Sequence, residues 1–119
     1  MKHEESKVGK VIQELTMYFF SIGGDKISSS IEKSEAGIKI IFHSNFSLEY
    51  EENIEYLEQC LNVEKNEGME DIFWELMGSG DPGESSQLMI LGNVIDSHEI
   101  NRYGNEIELI LYKNKELEW

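Results

Sequence analysis

Between residues 5 and 22, apolar side chains fall at Val8, Val11, Ile12, Leu15, Phe19 and Ile22. Steps of three and four residues place them on one face of a helix. Met17, Tyr18 and Phe20 widen that face, which predicts a last turn buried nearly all round. Gly23-Gly24-Asp25 then stops the helix, glycine supplying a left-handed cap.

The period next changes to two. Over 26–34, Ile27 and Ile31 share one face, with Ser28, Ser30 and Glu32 on the other. After a short turn at Glu35-Ala36-Gly37, Ile38, Ile40 and Phe42 alternate with Lys39, Ile41 and His43. The pattern predicts a β-hairpin with one buried and one partly covered face. Ser44-Asn45-Phe46-Ser47 reads as a loop.

Helical spacing returns over about 49–62, burying Ile54, Leu57 and Leu61, with Tyr50 and Cys60 at the margin. Asn62 to Asn66 breaks the pattern, and Asn66 caps a third helix that buries Met69, Ile72, Phe73 and Leu76. Glu67 and Glu70 suit the positive end of its dipole. Gly78-Ser79-Gly80 ends it. Asp81-Pro82-Gly83-Glu84 then has the arrangement of a capping box, with Pro at the first helical position. A turn at Pro82-Gly83 with a cap at Ser85 or Ser86 remains the alternative. Either start predicts a helix over about 85–99, burying Leu88, Leu91, Gly92 and Ile95. Its second strip, Met89, Ile90 and Val94, suggests a central position. Asn101 to Asn105 is polar, and the chain closes on a strand over 106–113 in which Ile107, Leu109 and Leu111 alternate with Glu108, Ile110 and Tyr112.

The order is therefore α-β-β-α-α-α-β in a single domain, 1–119. The simplest architecture is an α+β fold with helices packed on one face of a small, mainly antiparallel sheet made of the hairpin and the C-terminal strand. Ile41, Ile110 and Tyr112 make the second face more apolar than solvent requires. Sheet-to-sheet dimerisation or packing against the first helix would cover it.

Charge changes the picture. Twenty-four acids against ten bases leave a net charge of −14, unevenly spread. Residues 1–48 carry six of each sign, whereas 49–84 carry twelve acids against Lys65, a net of −11. Phosphate-rich duplexes are poor partners for such a surface, while basic proteins are attracted to it. With one cysteine, Cys60, no internal disulfide forms, and the N-terminal residues are too acidic for a signal peptide, so the expected compartment is cytoplasmic. No apolar run is long enough to span a membrane. Lysine far outnumbers arginine and isoleucine is frequent, a composition that fits an AT-rich bacterial genome.

Catalytic constellations are not apparent. His3, His43 and His98 lack metal-ligand spacing, so no metal or cofactor is expected. Cys60 has no neighbouring base and reads as a packing residue. The turn Gly78–Gly83 could offer amides to an anion, but without a Gly-Lys-Ser/Thr pair it reads as a helix stop and start. The expectation is a non-catalytic domain acting through contacts with a protein partner, basic or a second copy of itself. Its candidate surface is the outer face of 49–77, carrying Glu51, Glu52, Glu55, Glu58 and Trp74. An acidic nucleic-acid mimic filling a basic groove is the alternative.

Element order also carries a resemblance. The segment 15–45, a helix ending in a glycine turn before a hairpin, resembles the opening of the GHKL ATPase superfamily of gyrases and histidine kinases. Gly78–Gly83, the helix through Gly92 and the strand 106–112 look like that fold's glycine loop, helix and last strand. Where the family carries a metal-holding Asn, this chain has Met17-Tyr18-Phe19-Phe20, and where it carries Asp-x-Gly-x-Gly, this chain has His43-Ser44-Asn45-Phe46-Ser47. What the resemblance implies is a degenerate nucleotide-binding layout, and no functional residue is carried over.

Overall fold

The computed structural model describes residues 4–63, 70, 72, 83 and 85–115. In chain order they form α1 (Glu4–Ser21), β1 (Ile27–Ser34), β2 (Gly37–Asn45), a 3-10 turn (Leu48–Tyr50), α2 (Glu51–Leu61), α3 (Ser85–Gly92), β3 (Ser97–Tyr103) and β4 (Glu106–Asn114). The class is α+β, with an antiparallel four-stranded sheet ordered β1-β2-β4-β3.

Alternation sets the inner face of the sheet. Ile38, Ile40 and Phe42 of β2 and Ile107, Leu109 and Leu111 of β4 are buried, and α1 packs Val8, Val11, Leu15, Phe19 and Ile22 into the same core. The Phe19 and Phe42 rings meet at 5.6 Å between centroids. Gly23, with φ +91°, lets the chain turn out of α1 as the glycine pattern predicts. Asn45 then holds the next loop: its carboxamide oxygen accepts the Asp25 and Lys26 N–H groups at 2.9 and 3.1 Å.

Four expectations need correction. The predicted helix over 85–99 stops at Gly92, and Ser97–Tyr103 is a strand. Its partner is β4 across the two-residue loop Gly104-Asn105, where Gly104 has φ +62°. The glycine sits at the first central position, as a II′ hairpin turn requires. The closing strand is therefore internal, between β2 and β3, and the sheet gains a fourth strand. Second, the strip expected to make this helix central is only partly covered: Val94 is buried and Ile90 packs against the core, but Met89 is exposed. Third, Ser44 and Asn45, expected in a loop, are the last residues of β2, the loop residue Phe46 is buried in the core, and Cys60 belongs to the core rather than its margin. Fourth, α1 covers the inner face only, so the face bearing Ile41, Ile110 and Tyr112 is not the one it packs against.

The predicted helix over 66–77 lies outside the described residues except for Glu70 and Ile72. Ile72, expected in the core, is 51% exposed, whereas Glu70 is buried.

Candidate functional site

Of the acidic surface expected over 49–77, the described residues include α2, which carries Glu51, Glu52, Glu55 and Glu58. Ile54, Leu57, Cys60 and Leu61 form its buried side. The Tyr18 hydroxyl donates to the Asn53 carbonyl at 2.8 Å, joining α1 to α2. Close to this contact, burial and a hydrogen bond with Cys60 push the Tyr56 hydroxyl up to about 12, and burial also raises the Cys60 thiol. A thiol held protonated is a poor nucleophile, which agrees with a packing role for Cys60. Gly92 permits the close crossing of α2 and α3. A Cβ there would lie 1.9 Å from the Cys60 carbonyl oxygen.

With that side buried, the acids point outward. Glu52 and Glu55 are exposed, Glu51 and Glu58 partly so. Glu51 is committed inside the molecule. Both its carboxylate oxygens accept from the Arg102 guanidinium, Nη2 lying 2.6 Å from Oε1, and Arg102 also sits 4.9 Å above the Phe46 ring. Arg102 is the chain's one arginine, and its planar fork suits both contacts. Its hydrogen bonds hold the Glu51 carboxyl below the usual carboxylate range. Among the described residues, no ion pair engages Glu52, Glu55 or Glu58. Trp74, the fifth expected contact residue, lies outside the described residues.

Three polar arrangements were not foreseen. On the open face of the sheet, His43 Nε2 lies 2.7 Å from Glu108 Oε2, and Asn101 donates to Glu108 Oε1 at 3.0 Å. These bonds, Asn101's first, hold the Glu108 carboxyl below its ordinary range. A second arrangement is buried: Lys7 pairs with Glu70, and Lys113 Nζ lies 3.3 Å from Glu70 and 3.2 Å from Asp96. Pairing each buried ammonium group with a carboxylate offsets part of the cost of burying it. Sequence carried a signal for Lys113, which continues the inward period of Ile107, Leu109 and Leu111.

The third arrangement bears on anion binding at the glycine turn. The buried Glu14 carboxylate accepts the Gly83 N–H at 2.7 Å. An internal anion thus holds the only amide of Gly78–Gly83 that falls within the described residues. Among those residues, no group of three or more His, Cys, Asp or Glu side chains could hold a metal ion. No described helix is long and apolar enough to cross a membrane.

No family model, curated protein or solved structure matches the chain. The resemblance to the GHKL type therefore rests on element order alone.

Proposed function

We propose that this chain is a small, non-catalytic interaction domain that docks a basic protein partner on the outer face of α2. The observation supporting this reading is the division of labour among the α2 acids. Glu51 is held by Arg102, while Glu52 and Glu55 stand exposed on a helix fixed to the core by Ile54, Leu57 and Leu61. Exposed carboxylates on a rigid element steer and orient a cationic partner without disturbing the fold.

The experiment is capture of a partner from source-cell lysate at low and high salt, with wild-type protein and an E52Q/E55Q variant as bait. The expected result is a stoichiometric protein that is lost at high salt and weakened by the variant. Equal recovery by both baits removes this face from consideration. The alternative, a nucleic-acid mimic on the same row of carboxylates, predicts that added duplex DNA displaces the partner.

A further inference from the structure

We infer that two copies of this chain join through their β1 edges, so that two four-stranded sheets continue into one of eight strands. β1 is an outer strand. Its pairing with β2 runs without a bulge from Ile27↔Ser44 to Ser34↔Gly37, so eight residues present a regular edge. No proline interrupts it. An edge of this length offers its unpaired N–H and C=O groups to another strand, and its one inward-facing charge, Lys33, is engaged by Glu5 of α1.

The core stops short above this edge. Ile27 and Ile31 lie on the face that the helices cover, opposite Ser44 and Ile40, yet Ile31 is 53% exposed. The flank of α1 beside β1 is fixed by Glu5, whose carboxylate accepts from Lys33 of β1 at 3.1 Å. Gly9, Ile12, Thr16 and Phe20 share that helical stripe with Glu5. Phe20 is 56% exposed, and a Cβ on Gly9 would meet nothing within 4 Å. Ile12, Phe20, Ile27 and Ile31 thus border apolar space that additional protein would fill.

Charge selects a second copy as the occupant. A chain of net charge −14 repels itself unless its neutral ends meet, and α1, β1 and β2 belong to the first 48 residues, which hold six acids and six bases. Antiparallel pairing about a two-fold axis at Ile31 is also self-complementary. It sets Ile31 opposite the partner's Ile31, Ser29 opposite the partner's Lys33 and Ser30 opposite the partner's Glu32, with no like charges opposed. The acidic face of α2, whose Glu51 is held by Arg102 of β3 at the sheet edge opposite β1, would remain available at the two ends.

Sedimentation and light scattering of the full chain over a range of concentrations test this directly. The expected species is a dimer of 13.8 kDa chains that tightens as salt screens the remaining repulsion. Ile31→Lys should give a monomer with an unchanged far-UV circular dichroism spectrum. Ile31→Cys should cross-link between copies on mild oxidation, because opposed Cα atoms about 4.5–5.5 Å apart fall within disulfide reach. Wild-type protein, whose Cys60 is buried, should not cross-link. A monomer at every concentration overturns the proposal. So does a dimer that withstands Ile31→Lys, or the absence of a cross-link at position 31. If the lysine variant fails to fold, the cysteine cross-link decides alone.

Discussion

The carboxylate of Glu14, in the middle of α1, accepts the backbone N–H of Gly83, 69 residues later in the chain. Glu14 is 1% exposed and Gly83 half-buried, so the carboxylate and its amide partner are both largely shielded from water, where losing the bond is costly. Gly83, at φ +88°, also packs so closely on Met17 and Tyr18 that a Cβ would lie 2.9 Å from them. Glu14→Ala should therefore lower stability by about 1–3 kcal/mol. Glu14→Gln, which keeps an acceptor, should cost less. Chemical denaturation of the two variants measures the difference, and equal losses would show that the hydrogen bond contributes little.

The crossing of α2 and α3 leaves no room at Gly92. Its neighbour is the backbone carbonyl of Cys60, which cannot rotate aside as a side chain can. Gly92→Ala should destabilise by at least about 1–3 kcal/mol through overpacking, despite alanine's better helix propensity. Thermal unfolding of the purified variant checks this. A melting temperature equal to or above the wild-type value would refute the close crossing.

Arg102 performs two tasks that lysine cannot combine, the paired bond to Glu51 and the contact with the Phe46 ring. Both partners of the ion pair are partly exposed, so its contribution is modest. Arg102→Lys should cost about 1 kcal/mol, mostly through the lost ring contact and fork geometry. The same variant leaves the net charge unchanged, so any larger loss of partner binding would place Arg102 in the contact surface itself.

Stability should fall at both ends of the pH scale. Tyr56 titrates at about 12 in the folded chain, and burial raises Tyr18 and Cys60 as well. Once the pH passes the ordinary thiol and phenol values, the unfolded chain loses these protons first, so the stabilisation is present below those values and lost as pH rises through them. Glu51 and Glu108 run the other way. Their folded carboxyls titrate lower than in the unfolded chain, so that contribution is present above the ordinary carboxylate range and lost as pH falls below it. A melting-temperature profile flat near neutrality and falling on both sides is expected, and Glu108→Gln should blunt the acid limb.

Much of the fold was legible because periodicity reports burial directly. The α1 face, the first hairpin and the inner residues of β4 follow from spacing alone. β3 was missed because Val94 and Ile95 continue a helical rhythm past Gly92. Yet Tyr103-Gly104-Asn105-Glu106 carried a hairpin signal, a Gly-Asn pair between two alternating runs. Lys7 and Glu14 were hidden because charged residues read as solvated, although both fall on one helical stripe with the apolar Val11 and Tyr18. The α2 acids were visible in sequence. That Glu51 differs from Glu52 and Glu55 was not, because its partner Arg102 lies 51 residues away and meets it only through packing.

The central claim is tested most directly by titrating the captured partner against wild-type protein and the E52Q/E55Q variant, each at low and high salt. The account predicts at least a tenfold weaker affinity for the variant, about 1.4 kcal/mol, and a wild-type affinity that falls steeply with salt. Equal affinities for the two proteins, insensitive to salt, would contradict it.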